Sequence, residues 1–372
     1  MGSETTQNRC STFSFAQARS LVKDLQKPNP AIYWTDFLLS IIGGHIAFHA
    51  MYFLPKWLPS GSLWLWPTMG ISYAICVLLY MRCAMFIHEL IHLPKNEFNG
   101  FRIAWNALCG ILFLVPSFLY YPHVDHHRRK HYGTDHDGEY LSLSHSSPWF
   151  IVGFLLQALV LPFVALARFL IISPICWIFP SARPFVHRHA STMLVDPFYE
   201  RTDDTPRLRR LIVFQEALCF TWCVWFLTCG TVLRGEVFDP FWIIAYVVGV
   251  SLILLNEIRT LGAHRWTGQG EEMSFEEQLL DSVNYPKRPW ISELWGPIGT
   301  RYHGLHHLFP SLPYHNLGKA HRRLMRDLPS DSPYRLTVAN SLTEEIIALF
   351  RRSMTQAPLA APVADGVHPE AA

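Results

Sequence analysis

Nine histidines gathered in four short segments are the residues of this chain most able to do chemistry. Imidazole is the commonest side-chain metal ligand near neutral pH. One tetrahedral zinc ion needs about four ligands, so nine converging imidazoles, with no cysteine pair or paired carboxylate beside them, predict two metal ions. The four segments contain His88 and His92; His123, His126 and His127; His264; and His303, His306 and His307.

The spacing within these segments favours a shared site. Residues three and four positions apart lie on one face of a helix, with Cβ atoms about 5–6 Å apart. His88 and His92 are four residues apart, and two other segments repeat the pattern His-x-x-His-His. Each of these segments can therefore present two or three imidazoles toward a common point. Imidazole binds Zn, Cu, Fe and Ni, so the spacing alone does not name the metal.

The elements that position these histidines are predicted to be membrane helices. Half of the 372 residues are hydrophobic and only 16% are charged, which is unusual for a soluble protein of this size. A helix needs about 20 apolar residues to cross a bilayer. Four runs meet this condition: Tyr33–Leu54, Leu63–Ile87, 211–233 and 240–258. The net charge of +2 gives no reason to expect nucleic acid as a partner.

Two further apolar stretches are interrupted by helix-breaking residues. The stretch 103–121 contains Gly110 and Pro116, and the stretch 148–180 contains four prolines. Because irregular backbone in a membrane must be covered by protein, we expect short or re-entrant helices in both. The predicted organisation is a cytosolic N-terminal segment (1–30), a membrane catalytic domain (31–354) and a disordered tail (355–372).

The charge distribution predicts an orientation. Two helical hairpins would put both termini and every histidine segment on one side, with short turns at 55–62 and 234–239 on the other. Lys and Arg concentrate on the histidine side, for example in Arg128-Arg129-Lys130, while only Lys56 and Arg234 mark the turns. The positive-inside rule then places the histidines in the cytoplasm. The predicted fold class is all-α: about four spans beneath a cytosolic helical cap that carries a dimetal site.

Metal-bound histidines usually donate their second ring N–H to a carboxylate or a carbonyl. The candidate partners are polar residues near the four segments: Glu89, Asp125, Asp135, Asp137, Glu139, Asn256, Glu257 and His315.

His45 and His49 form a separate pair inside the first span, where they either pack between helices or line a substrate channel.

At these segments the sequence resembles the membrane fatty-acid desaturase superfamily. The segments 88–92 (HELIH), 123–127 (HVDHH) and 303–307 (HGLHH) are similar to its three histidine boxes, and 256–265 is similar to the segment with its isolated ligand. The resemblance covers about residues 33–325. It implies two non-haem irons bound by all nine histidines, and O2-dependent attack on an unactivated C–H bond of an acyl chain.

The resemblance departs from the family pattern at one position. Some members place an asparagine one helical turn before the isolated histidine, where it holds a metal-bound water. Here Thr260 occupies that position, and Asn256 lies a further turn back. The water-mediated ligand is therefore in question, and the reaction type with it.

The same diiron site can carry out several reactions in this superfamily. Desaturation is the favoured expectation; hydroxylation, formation of an acetylenic bond, and oxidative decarboxylation of a free fatty acid to a terminal alkene are alternatives. The sequence HELIH also matches the zinc-protease pattern HExxH, with Glu89 as general base. That reading leaves both His-x-x-His-His segments unexplained. A non-catalytic transporter or scaffold is the remaining alternative.

The implied partners follow from the chemistry. The substrate is expected to be a fatty acyl chain, as a free acid or linked to CoA, a carrier protein or a lipid, held in an apolar tunnel. The sequence shows no haem-binding, four-cysteine or dinucleotide-binding motif. Electrons are therefore expected from a separate protein of ferredoxin, rubredoxin or cytochrome type. The expected location is a bacterial inner membrane or the endoplasmic reticulum.

Overall fold

The computed structural model describes residues 14–59, 61–94, 97–193, 195–232 and 239–356. Across these ranges the chain is helical, with isolated β-bridges and no strand, so the predicted all-α class is confirmed. The helices are α1 (Phe15–Val22), α2 (Pro30–Trp57), α3 (Leu65–Ala84), α4 (Phe86–His92), α5 (Asn99–Trp105), α6 (His123–His126), α7 (Pro148–Leu156), α8 (Leu161–Ala167), α9 (Ser173–Ile178), α10 (Arg183–His189), α11 (Pro206–Val232), α12 (Pro240–Leu261), α13 (Phe275–Asp281), α14 (Pro289–Trp295), α15 (His303–Leu308), α16 (Tyr314–Asp327) and α17 (Leu342–Thr355).

Five helical runs are long and apolar enough to cross a membrane. They are Pro30–Trp57, Leu65–His92, Leu161–Ile178, Pro206–Cys229 and Pro240–Leu261. Large apolar side chains such as Leu39 and Ile46 remain about two-thirds exposed on α2. Apolar surface of this extent marks contact with a partner or a lipid phase. The chain is therefore an integral membrane protein, and which side faces the cytoplasm stays a prediction.

The run Leu161–Ile178 differs from expectation, because its prolines predict a short or re-entrant helix. Pro162 lies in the first turn of α8 and Pro174 in the first turn of α9, where a missing backbone N–H costs little. A π-helical turn, Arg168–Ile172, joins the two helices. The run thus stays helical over 18 residues and adds a fifth candidate to the four predicted spans.

The stretch 103–121 is broken, as expected. Helix α5 ends at Trp105 and is followed by a π-helical turn, Asn106–Gly110. Leu114 then adopts a left-handed φ of 58°, which ends the helix. A short 3-10 turn, Ser117–Tyr120, leads directly into α6. This broken segment delivers the second histidine segment to the site.

Helices α2 and α3 form a closely packed pair. Gly44 faces the ring of Tyr80 so closely that a Cβ atom at this position would overlap with the ring. The Tyr80 hydroxyl lies 2.8 Å from Nδ1 of His45. Because Gly44 permits this approach, α2 and α3 hold a fixed register, which in turn fixes the position of α4.

Polar contacts join the membrane helices to the cap formed by α13–α17. Arg82 in α3 pairs with Asp36 in α2 at 2.5 Å and with Glu293 in α14 at 2.8 Å. In α4, Glu89 accepts hydrogen bonds from the hydroxyl of Tyr33 and from the backbone N–H of Tyr314. These contacts hold the cap over one end of the helix pair.

Helices near both ends of the described residues can be compared with the predicted domain boundaries. Helix α1 lies in the predicted N-terminal segment, and α17 extends to Thr355. The remaining predicted tail, 357–372, lies outside the described residues. The predicted division into 1–30, 31–354 and 355–372 is otherwise not tested by the fold.

Candidate metal centre

The first two histidines are carried by a continuation of the second membrane run. Helix α3 ends at Ala84, and α4 follows after a single residue, Met85. His88 and His92 lie one turn apart on α4, and their ring centroids are 5.5 Å apart. The long apolar run thus positions both imidazoles at its end, as the sequence predicts.

The nine histidines converge in two groups, and within each group one ring nitrogen per residue lies within 4.8 Å of all the others. The second and third histidine segments each contribute to both groups, because neighbouring residues on a short helix point in different directions. The five-histidine cluster contains His88, His92, His123, His127 and His306, and the four-histidine cluster contains His126, His264, His303 and His307.

A short backbone ribbon positions the histidines that come from the C-terminal half. His264 forms an isolated antiparallel bridge with Ser282, and Asn284 forms another with Tyr302. The backbone N–H of Gly304 donates to the carbonyl of Val283 at 3.1 Å. A Cβ on Gly304 would lie 3.0 Å from the Ser282 carbonyl oxygen, so glycine permits this contact. The segment 282–284 therefore joins His264 to the start of α15.

The distances between ring nitrogens fit metal coordination. In the four-histidine cluster, Nε2 of His264 lies 3.2 Å from Nε2 of His126 and 2.8 Å from Nε2 of His303. In the five-histidine cluster, Nε2 of His127 lies 3.0 Å from that of His123 and 3.2 Å from that of His306. Two nitrogens bound at about 2.1 Å and at right angles to each other would lie about 3 Å apart.

Two imidazoles of the four-histidine cluster are oriented by carboxylates. Nδ1 of His126 lies 2.8 Å from Asp137. Nδ1 of His264 lies 2.8 Å from the hydroxyl of Tyr132, which donates to Asp281 at 2.7 Å. When Nδ1 carries the hydrogen in both His126 and His264, the lone pair of each Nε2 atom points toward the other Nε2 atom. A shared cation relieves this repulsion, so the residues present fit a metal ion.

The ionisation of the clustered histidines supports the same conclusion. Burial, reinforced by the neighbouring histidines, holds the pKa values of His303, His306 and His307 well below the usual range. Burial also lowers the pKa of His264. His126 differs: burial lowers its pKa, but the charge of Asp137 outweighs this and the net pKa is raised. Most of these rings are therefore neutral and offer lone pairs.

A small cavity lies between the two clusters. Its volume is about 10 Å³, and its walls include His88 and His123 of one cluster and His303 of the other. The other walls include Arg259 and Thr260 of α12. A cavity of this size has room for about one water-sized group. Thr260, the position noted for its departure from the family pattern, thus faces the space between the clusters.

A larger apolar groove of about 610 Å³ runs along α2. It is walled by aliphatic and aromatic side chains, including Ile42 and Phe53, and by Leu108 and Leu112 from the broken segment. His45 and His49 also line it, and His45 in addition contacts Tyr80. Both roles expected for this pair, helix packing and lining a channel, are therefore compatible with its position.

Comparison with known proteins now adds to the geometry. The model of the fatty acid desaturase family matches residues 62–338. The chain belongs to this family. It is also 38% identical to a ceramide hydroxylase of Caulobacter vibrioides over 340 residues, which covers 90% of this chain and 93% of that protein. No solved structure matches the chain significantly.

Family membership confirms the resemblance seen in the histidine segments. Desaturase-family proteins are generally diiron dependent, act on fatty-acyl lipids and are oxidoreductases, and the clusters could bind metal. The zinc-protease reading requires Glu89 as a free general base. Instead, Glu89 is buried and accepts hydrogen bonds from Tyr33 and Tyr314, and its neighbours His88 and His92 lie among three further histidines.

The structure distributes the other candidate partner residues over several sites. Asp137 contacts His126, and Glu139, whose pKa burial raises to about 7, lies 3.3 Å from Nδ1 of His123. Glu257 is buried near the side chain of Gln157, away from the histidine rings. Asp125 pairs with Arg128 and His131, Asp135 is exposed, Asn256 accepts from Arg259, and His315 accepts from the backbone of Asn29.

Two contributors to the site were not expected from the sequence. Asp281 and Tyr132 together orient His264, and both are buried. Asp281 is the last residue of α13, just before the ribbon segment, and Tyr132 lies five residues after His127. Neither lies within one helical turn of a histidine segment. Asp281 lies close to His264 because of the bridge between His264 and Ser282, and the sequence pattern does not predict this bridge.

Proposed function

We propose that this protein is an O2-dependent hydroxylase of a long-chain amide lipid of the ceramide type. The observation that carries this proposal is the 38% identity to a ceramide hydroxylase along nearly the whole of both chains. Substitution of an alcohol for a C–H bond follows R–H + O2 + 2e⁻ + 2H⁺ → R–OH + H2O. This balance requires an external source of two electrons.

The two histidine clusters are proposed to hold one iron each. Bound iron would supply the oxidising power that side chains lack, by activating O2 beside a C–H bond. The five-histidine and four-histidine clusters would provide the nitrogens, and all nine histidines are proposed ligands. Asp137 and Asp281 would keep two rings of the four-histidine cluster in the tautomer that presents Nε2 inward.

The electron donor is proposed to be a separate ferredoxin-, rubredoxin- or cytochrome-type protein. The side with the histidines also carries exposed basic residues, Arg128, Arg129 and Lys130, directly after His127. Charge of this kind steers an acidic partner toward the surface. The proposed orientation places this side and both termini in the cytoplasm, in keeping with the positive-inside rule.

Desaturation is the second candidate function. It is supported by the family model itself, which is described as fatty acid desaturase. Both reactions begin at the same type of C–H bond and differ in the fate of the substrate: a hydroxylase adds one oxygen atom, whereas a desaturase removes a second hydrogen. Oxidative decarboxylation to a terminal alkene has no specific observation in its favour.

Product analysis distinguishes these reactions. The chain would be expressed in a bacterial host that is supplied with a defined ceramide, and the lipids would be profiled by mass spectrometry. We expect a ceramide that has gained one oxygen atom, and no product from a His306→Ala variant expressed in parallel. A ceramide that has lost two hydrogen atoms would assign desaturation instead. Unchanged ceramide together with an oxidised free or phospholipid-linked acyl chain would refute the proposed substrate class.

A further inference from the structure

We propose that Arg259 anchors an uncharged oxygen atom of the substrate, a carbonyl or hydroxyl oxygen of the amide lipid, in the cavity between the two histidine clusters. This inference rests on the proposed function and deepens it, because it predicts which part of the lipid meets the metals. It is carried by the position, the hydrogen bonding and the surroundings of the Arg259 guanidinium.

Arg259 lies in the last turn of α12 and is 9% exposed. Its Nε and Nη2 atoms donate to Oδ1 of Asn256 at 3.2 and 3.0 Å, and Nη2 also donates to the hydroxyl of Thr260 at 3.1 Å. These bonds fix the plane of the guanidinium. Within the part of the chain that the structure describes, Nη1 makes no hydrogen bond, and so it is available as a donor.

The charge of Arg259 has no direct counter-ion. Among the described residues no carboxylate lies within 4.0 Å of its guanidinium, although Glu139 lines the same cavity. An arginine stays protonated under all physiological conditions, and a buried charge without a partner is costly. Two bound metal ions would add further positive charge nearby. The site therefore favours an electron-rich atom placed between Arg259 and the histidines.

The cavity selects the size of this atom. A volume of about 10 Å³ accepts one oxygen-sized group and excludes an alkyl chain. Its walls come from both clusters, including His88 and His303, so an oxygen held by Arg259 lies beside both proposed metals. The carbon that is oxidised must then lie within a few bonds of the polar group of the lipid. A mid-chain methylene would not meet this condition.

The amide lipid fits these requirements better than a hydrocarbon tail does. Its carbonyl and hydroxyl oxygens accept hydrogen bonds without carrying charge, so their burial needs one good donor and no counter-ion. The guanidinium supplies that donor in a fixed orientation. Thr260 contributes by holding the guanidinium, which gives this position a role even without the asparagine of related sequences.

The test measures binding separately from oxidation. Purified full-length, iron-loaded protein in detergent would be titrated with radiolabelled N-octanoyl sphinganine and with radiolabelled hexadecane, anaerobically and without an electron donor. Three variants would be compared: Arg259→Gln, Arg259→Lys, and Arg102→Gln as a control. Arg102 is a half-buried arginine that donates to the carbonyl of Leu93 and does not line the cavity. Iron content and gel-filtration profile verify that each variant is folded.

We expect Arg259→Gln to weaken binding of the amide lipid about 10- to 100-fold, the range for one hydrogen bond to a charged group. Binding of hexadecane should change less than about twofold, Arg259→Lys should restore part of the loss, and Arg102→Gln should leave both affinities unchanged. Unaltered amide-lipid affinity would assign the cavity to a bound water only and overturn the inference. An equal loss for hexadecane would also overturn it, because it would show a structural effect.

The position of oxidation gives a second, independent readout. In any hydroxylated product, the new hydroxyl should lie close to the amide group, and Arg259→Gln should scatter it along the chain. Hydroxylation of ceramide with unchanged binding in the variant would refute the anchor and leave the proposed function standing. Arg259-dependent binding without a hydroxylated product would refute the proposed function and leave the anchor standing.

Discussion

The five-histidine and four-histidine clusters use the same side chain but are supported in different ways. In the four-histidine cluster, His126 and His264 contact Asp137 and the Tyr132–Asp281 pair. In the five-histidine cluster, the Nδ1 atoms of His88, His127 and His306 are buried without a hydrogen-bond partner among the described residues, as is that of His303 alone in the other cluster, and Nδ1 of His123 has only Glu139 at 3.3 Å.

This difference indicates two ways of fixing a metal ion. Hydrogen bonds to carboxylates set the tautomer and the direction of a ring before the ion binds. The five-histidine cluster relies instead on a larger number of rings and on their packing, since the centroids of His88 and His306 are only 4.1 Å apart. We therefore expect the two proposed irons to respond differently when the surrounding residues change, although both are needed for oxidation.

Removal of one imidazole from either cluster should have the largest effect. His306→Ala and His264→Ala each delete a buried ring from a different cluster. We expect each to lower activity by more than the roughly 10–100-fold that loss of an outer hydrogen-bond partner causes. Iron content, measured by elemental analysis, should fall in both. If either variant kept wild-type activity, its cluster would not be part of the catalytic centre.

Changes to the carboxylates should separate the clusters. Asp137→Asn and Asp281→Asn keep the shape but lose the charge that orients His126 and His264. We expect a loss of about 10–100-fold in metal affinity or activity. The loss of iron should be partial, because only the four-histidine cluster is affected. Asp125→Asn is the matched control, since Asp125 contacts Arg128 and His131.

Equal loss in Asp125→Asn would remove the basis for contrasting the two clusters. Competitive chelation, followed by iron quantification over time, distinguishes a selective weakening from general unfolding. One iron should be released quickly from the Asp137 variant and the other slowly.

The smallest expected effect is that of acid. It should reach both clusters alike, because His321 packs against Tyr302, the residue before α15. His321 is buried, its ring centroid lies 5.3 Å from that of Tyr302, and its Nδ1 atom lies 2.8 Å from the Tyr334 hydroxyl. Burial, aided by the positive charges of Arg301 and Arg322, lowers its pKa to about 4. Between pH 6.5 and 4 the unfolded chain therefore binds a proton that the native protein does not, and stability falls as the pH falls.

The stability attributable to His321 amounts to at most about 3.5 kcal/mol, at about 1.4 kcal/mol for each pKa unit. His321→Gln should flatten the dependence of the melting temperature on pH between 7 and 5 relative to the wild type, while the contribution of the other histidines cancels in the comparison. An identical pH dependence in both proteins would show that His321 does not titrate in this way.

The sequence predicts much of this arrangement, for identifiable reasons. His88 and His92 end a long apolar run, and local helical periodicity suffices to place them together. The division of the second and third histidine segments between two clusters, with His126 apart from its neighbours His123 and His127, is a tertiary effect. The direction in which each ring points depends on contacts with other segments, which spacing alone does not contain.

The features that the sequence does not predict also have physical causes. Pro162 and Pro174 lie where a helix tolerates them, so the run Leu161–Ile178 stays continuous. Its buried Arg168 pairs with Glu216 of α11 at 2.6 Å, which offsets the charge within an apolar helix. Asp281 reaches His264 only through the bridge at Ser282. Hydrophobic periodicity describes local spacing only, so it does not predict contacts between residues that are far apart in the sequence.

The ribbon at 282–284 has a consequence for biosynthesis. It is joined to Ala263 on one side, to Gly304 on another and, through Asn284, to Thr337 and Ala339. The chain must therefore be made at least as far as Ala339 before these four segments can meet. By then all five candidate membrane-spanning runs of the described residues, the last of which ends at Leu261, have been synthesised. The ribbon, and with it the placement of His264 beside α15, can thus form only after all of these runs are available to the bilayer.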